Sequence, residues 1–367
     1  MEASHDADLP RPCDNIRAIE VDFVEIDRDG SEAPSPPPGT FLSNLLAITS
    51  LRLCLGDAGG IFTDAAESLQ YKLNIAPSCL ERLPSFDFSS SWYGTHVLDA
   101  LQHCNNLQTL KINLRAVTAE QALFYPSDGP FKQYHGREEI TMAKLHTLQV
   151  QMDPRNEILL HIKAPSLVNF DARFHPNLKQ RSVYTVHEIG KSHFYLFLEL
   201  SGCKESLRTF GIHDIMTSSE VLSIILAALP SLVHITLDNV YIGDHKTLWR
   251  SLSGCTFLNL KVLELLRFGR TEDGGMIADE MLKFFEQRGK QPCQVFLAFR
   301  KAVDEALDVS NRFEMPFRRR IQGSGKSLGW QSRYSLLYRF FSGNDSPKTR
   351  NRTFTLHHAF VGSESQL

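Results

Sequence analysis

Within His103-Cys104-Asn105-Asn106-Leu107-Gln108-Thr109-Leu110-Lys111-Ile112-Asn113-Leu114 the apolar period changes over a few residues. Ahead of this stretch, Thr95 to Gln102 reads as a helix, with Val97, Leu98 and Leu101 on one face; inside it, Leu110, Ile112 and Leu114 alternate as in a half-buried strand. A short helix joined to a single short strand cannot close a core by itself. It has to stack on copies of itself, so the rest of the chain is searched for the same unit.

The copies are there. Ile19, Val21 and Phe23 alternate first; Ile48, Leu51, Leu53 and Leu55 follow a short helix predicted over Phe41 to Ala47. Leu80, Leu83, Phe86 and Phe88 follow a helical run from Thr63 to Leu73, with Pro84 expected to interrupt the strand. Next come Leu145, Leu148 and Val150, then Leu167, Phe170 and Ala172 behind a segment, Glu157 to Ile162, too short for a long helix. Leu207, Phe210 and Ile212 follow a helix over Ser192 to Leu200. Leu232, Ile235 and Leu237 follow a helix over Ser218 to Leu229, opened by a serine cap with Glu220 close behind. Leu260, Leu263 and Leu265 follow Leu248 to Leu252, and a helix over Met276 to Arg288 leads to Val295, Leu297 and Phe299.

The leading leucines at 107, 145, 167, 207, 232 and 260 are 38, 22, 40, 25 and 28 residues apart. Three of these spacings suit a leucine-rich repeat of strand plus helix, and two suit repeats with inserted loops. An ordinary α/β domain also alternates strand and helix, but a doubly covered sheet needs uninterrupted Val/Ile runs, which are missing. Asparagine or cysteine also recurs just before the strands. The fold predicted is α/β, an irregular leucine-rich-repeat solenoid of eight or nine units over residues 16–300. It would be curved, with parallel strands on the concave face and helices and loops on the convex face. Residues 1–15 read as a disordered tail, 301–343 as a basic amphipathic segment that can cap the last repeat, and 344–367 as a second disordered tail.

His103-Cys104-Asn105-Asn106-Leu107-Gln108-Thr109-Leu110, Ala164-Pro165-Ser166-Leu167, Leu229-Pro230-Ser231-Leu232-Val233-His234-Ile235-Thr236-Leu237 and Phe257-Leu258-Asn259-Leu260-Lys261-Val262-Leu263-Glu264-Leu265 resemble the leucine-rich regions of large fungal F-box-type protein families. The resemblance covers about Ile16 to Arg300. In such families an amino-terminal F-box docks on the Skp adaptor of a cullin ubiquitin ligase and the repeats hold the substrate. Here Leu9-Pro10 is the only trace of the box, and repeat-like sequence follows at once. The resemblance therefore implies a Skp-type adaptor as partner only if an F-box is missing from this gene model.

Charge adds a second feature. From Arg312 to Arg352 ten basic residues face two acidic ones, a local +8 in a chain of net charge -3, so an acidic body carries a basic tail. Inside that tail Trp330, Tyr334, Leu337, Tyr338 and Phe341 would form one stripe if helical, flanked by Arg333 and Arg339. Such a helix could cap the last repeat or meet an anionic membrane, a nucleic acid or a partner groove. Arg318 to Arg320 add a thin nuclear-import signal. Met1 to Pro12 is polar and acidic, unlike a secretory or transit peptide, and no run of 18 apolar residues occurs, so a cytoplasmic or nuclear location is expected.

Signals for chemistry are weak. Seven cysteines, none in a C-x-x-C pair or at finger spacing with histidine, fit packing positions better than metal binding; Cys79, Cys104, Cys203 and Cys255 precede repeat strands. Gly323-Ser324-Gly325-Lys326-Ser327 resembles the end of a phosphate loop, but the glycine required five residues before Gly325 is Arg320. Glu138-Glu139, Asp304-Glu305, His357-His358 and His213-Asp214 carry no specific signal. No enzyme, cofactor or metal is expected.

What is expected is protein binding through the outward strand side chains: Lys111 and Asn113, Gln149 and Gln151, Asp171 and Arg173, His234 and Thr236, and Glu264. The partner would be a protein of unidentified kind bound by a monomer. The alternative is a factor that meets nucleic acid or a membrane surface through the basic tail.

Overall fold

Ahead of one strand after another, a single carbonyl accepts two successive amides from the next repeat. Arg17 O takes Thr49 and Ser50 N–H at 2.8 and 3.0 Å, Pro84 O takes Gln108 and Thr109 at 2.8 and 2.9 Å, and Gln108 O takes His146 and Thr147 at 2.9 and 3.0 Å. The same hook recurs from Val168 O to Arg208 and Thr209, from Arg208 O to Val233 and His234, and from Val233 O to Lys261 and Val262. It satisfies the amides at each strand start and sets the register of the next strand. The computed structural model describes residues 16–23, 48–55, 75–90, 96–114, 139–152, 158–174, 189–242, 244–254, 259–267, 280, 283–284, 293–300, 336–341 and 353–356.

Two compact units result. The first, Met1–Leu167 with Asn177–Arg181 and Leu200–Gly202, contains β1 (Ala18–Phe23), β2 (Ser50–Leu55), α1 (Pro77–Leu80), β3 (Ser85–Ser90), α2 (His96–Leu101), β4 (Thr109–Leu114), β5 (Ile140–Thr141), β6 (Thr147–Met152), a 3-10 turn (Ile158–His161) and β7 (Ile162–Lys163). β1, β2, β3, β4 and β6 are parallel neighbours in sequence order, and β5 pairs with β7. Leu51, Phe86, Leu110 and Leu148 stand opposite one another, as do Leu53, Phe88, Ile112 and Val150; all eight are buried. Each such side chain contributes about 1.5–3 kcal/mol by leaving water. Asn106 shows what an asparagine before a strand does here: Nδ2 donates to Glu81 O at 2.7 Å and Oδ1 accepts from Lys144 Nζ at 2.6 Å, tying three repeats together.

The second unit is Val168–Pro176, Ser182–Glu199 and Cys203–Leu367. It holds β8 (Asn169–Phe174), the body of α3 (Ile189–Ser201), β9 (Thr209–His213), β10 (Met216–Thr217), α4 (Ser219–Ala227), β11 (His234–Asp238), β12 (Tyr241–Ile242), α5 (His245–Gly254), β13 (Val262–Leu266), β14 (Gln294–Arg300), β15 (Leu336–Phe341) and β16 (Thr353–Leu356). β8, β9, β11, β13, β14 and β15 run parallel as successive neighbours, β10 pairs with β12, and β16 returns antiparallel to β15. Phe170, Phe210, Ile235, Leu263 and Val295 form one buried row. Within it Phe170 lies 5.9 Å from Phe210 in a stacked pair and 5.4 Å from Phe197 of α3, centroid to centroid. α4 starts where the sequence predicts, with Ser218 Oγ accepting from Val221 N–H at 3.2 Å.

The parallel α/β order of successive short strands predicted from the leucine pattern is what the chain adopts. Two local readings need correction. Pro84 does not interrupt its strand; it sits just ahead of β3, where it needs no amide and offers its carbonyl to the next repeat. The helix expected through 330–341 is a strand over Leu336–Phe341, paired from Val295↔Leu336 to Arg300↔Phe341. The edge of β14 supplies a complete backbone ladder to a run rich in aromatic residues, and that outweighs a helical spacing of apolar positions.

Within the tail expected to be disordered, Thr353–Leu356 is β16. The helices read over Phe41 to Ala47 and Thr63 to Leu73, the acidic pair Asp304-Glu305, His357-His358, Cys255 and the glycine-rich Gly323 to Ser327 lie outside the described residues, as do Glu138, Trp330 and Tyr334. Among the described residues no helix is long and apolar enough to cross a membrane.

Candidate binding surface

Zero-offset pairing lines up the outward side chains as strictly as the core. In the first unit Glu20, Arg52, Asp87, Lys111 and Gln149 form one row, and Ser89, Asn113 and Gln151 belong to the next. Arg52 reaches Glu20 at 3.0 Å and Asp87 at 3.7 Å. Lys111 and Gln149 are exposed, whereas Asn113 and Gln151 are half-buried and Asn113 Oδ1, shut away from solvent, has no hydrogen-bond partner among the described residues.

The second unit assembles a denser network. His213, at the end of β9, has a carboxylate at each ring nitrogen: Asp171 Oδ1 of β8 lies 2.5 Å from Nε2 and Asp238 Oδ2 of β11 lies 3.4 Å from Nδ1. Only the imidazolium can donate at both. Burial opposes that charge, but the hydrogen bonds and the negative charges of Asp171 and then Asp238 override it and raise the pKa to about 9. Asp238 also receives both Arg267 Nε and Nη2 at 2.6 Å. Burial pushes its carboxyl up, yet the bonds from His213 and Arg267 and their charges bring it down to about 2.

Backbone shape builds this cluster. Asp214, Asn239 and Arg267 each follow the end of β9, β11 or β13 and each is left-handed, with φ of 59°, 57° and 50°. Asp and Asn tolerate that region well; for Arg267 it costs about 1 kcal/mol. Asp214 N–H donates to Asp238 O at 2.9 Å and Asn239 N–H to Leu266 O at 2.7 Å, so each turn is fastened to the next. Asn239 Nδ2 donates to Asp214 Oδ1 at 2.6 Å, and Arg267 and Arg173 approach Asp214 at 3.5 and 4.0 Å. One row nearer the strand starts, Thr236 Oγ1 donates to Glu264 Oε2 at 2.8 Å and His234 Nε2 lies 3.2 Å from the same oxygen.

Of the predicted surface residues, Asp171 and Arg173 join the His213 cluster and His234, Thr236 and Glu264 form their own group. Lys111, Asn113, Gln149 and Gln151 are neighbours in the first unit. Sequence reasoning passed over His213-Asp214 as uninformative and missed Gly211, Asp238, Asn239 and Arg267. A signal existed: aligning the units on Ile212, Leu237 and Leu265 puts His213-Asp214, Asp238-Asn239 and Leu266-Arg267 at one position.

The arrangement is poorly made for chemistry. His213 has no free nitrogen to act as a base. Cys104 and Cys203 are buried, and burial pushes their thiols up to about 12 and about 11. Among the described residues no group of three or more His, Cys, Asp or Glu is placed to hold a metal ion. No family model and no curated protein matches the sequence.

Proposed function

We propose that this protein is a non-enzymatic binding scaffold of leucine-rich-repeat type, acting in the cytoplasm or nucleus, whose outward strand face holds another protein. One observation carries the reading: outward polar side chains stand in register rows, and in the second unit Asp171, His213, Thr236, Asp238, Glu264 and Arg267 are held by partners on neighbouring strands. Side chains immobilised before the partner arrives lose little freedom on binding, which is what a recognition surface needs. Affinity capture from the native cells with the full chain and with Lys111→Glu, Arg173→Glu and Glu264→Lys together tests it. Loss of the captured proteins supports the reading, and retention of all of them refutes it.

Substrate recognition within a ubiquitin-ligase adaptor is the finer version, supported only by the likeness of the four quoted stretches to F-box-type leucine-rich regions. Co-purification of a Skp-type adaptor with the full-length gene product is its test.

A further inference from the structure

We infer that the rim of the second unit, where β9, β11 and β13 end, docks an acidic protein segment bearing an apolar anchor, with Met216 and Tyr241 seating the anchor and Arg173 and Arg267 meeting its carboxylates. This rests on the binding-scaffold reading and adds the class of partner. Met216 and Tyr241 are register partners on β10 and β12, two residues beyond Asp214 and Asn239. They are 41% and 57% exposed, while Ile215, Val240 and Ile242 beside them in sequence are buried. The core is therefore served by those three residues, and the Met–Tyr pair is left facing solvent. Tyr, Met and Arg are the side chains enriched at the centres of protein interfaces.

Charge on the rim is layered. The Asp214 and Asp238 side chains are 15% and 14% exposed, whereas those of Arg173 and Arg267 are 51% and 37% exposed and both converge on Asp214 from outside. The Asp171 side chain is half-exposed, with its Oδ1 bound to His213 Nε2. Over Asp214 and Asp238 an arriving chain thus meets guanidinium groups before carboxylates, in a form suited to bind a carboxylate. The fastened turns, with Tyr241 N–H donating to Ile215 O at 2.8 Å, hold the ledge in place before binding.

The test is selection of peptides by the full chain from a random-peptide display library, followed by affinity measurement against Tyr241→Ala and Arg173→Ala. Both positions are exposed, so circular dichroism should confirm that the variants fold. The expected result is enrichment of peptides with Asp or Glu close to an aromatic or aliphatic residue, weakened at least about tenfold by either variant and weakened further by salt. Selection of no peptide, or of basic or purely polar ones, overturns the inference, as does displacement of the peptides by homopolymeric single-stranded DNA. Acidic peptides that ignore both variants but are lost with Lys111→Glu overturn it too, while leaving the scaffold reading in place.

Discussion

Asp171 reaches His213 over the one residue that lets it: a Cβ built on Gly211 would lie 2.5 Å from Asp171 Oδ1 and 3.3 Å from His213 Nε2. Gly211 sits opposite Asp171 in the ladder, so the missing side chain is the space the carboxylate occupies. Gly211→Ala should turn Asp171 aside at a cost of about 1 kcal/mol, because a terminal oxygen can move. The His213 imidazole should then lose its proton at lower pH than in the parent protein, which an NMR titration of its ring protons reads directly.

The same pair sets a pH window for stability. Below pH 6.5 both the folded and the unfolded His213 carry the proton; between 6.5 and about 9 only the folded one keeps it, so the contribution falls as pH rises and is gone above about 9. Asp238 acts at the other end. Its contribution is complete above pH 3.8 and is lost as pH falls toward about 2. Urea unfolding across pH should show both limbs, and His213→Gln should flatten the alkaline one.

Arg267 is held in a left-handed conformation it does not favour, which implies that its bidentate bond to Asp238 outweighs the strain. Arg267→Ala should destabilise the protein by about 2 kcal/mol by leaving a half-buried carboxylate with one partner fewer. Arg267→Lys should recover little, since an ammonium cannot reproduce the two parallel bonds. Chemical denaturation of the three proteins decides the order.

How much of this could be read beforehand follows from what each feature depends on. The strands and the cap at Ser218 come from short-range patterns, alternation and a hydroxyl before an apolar run, so they were legible. β15 was not, because its strand state is set by pairing with β14, far away in sequence, while its own apolar spacing fits a helix. The outward rows followed from alternation. The His213 cluster did not, since it depends on which repeat lies beside which, and on Gly211, whose role is the absence of a side chain.

Cysteine reactivity should separate by depth. Cys79, Cys104, Cys203 and Cys293 are buried, while Cys54 is half-exposed at the end of β2. Alkylation of the native protein should label Cys54 first among these five, with Cys104 and Cys203 reacting only when the protein unfolds. Mass-spectrometric mapping at short reaction times shows the order, and early labelling of Cys104 would contradict the packing role given to the residue before the strand.

The repeat architecture itself is tested by setting a row residue against a surface one. Phe170 is buried between Phe210 on the next strand and Phe197 on α3, so its removal opens a cavity that touches two elements at once. Phe170→Ala should cost about 3–5 kcal/mol. Lys111→Ala, on the exposed face, should stay within about 0.5 kcal/mol of the parent. Because a stacked repeat is stabilised by its nearest neighbours, hydrogen exchange in Phe170→Ala should rise most in β8 and β9 and fade toward β14. A uniform rise through all the strands of the second unit would instead mean that the leucine rows melt as one body and not as coupled repeats.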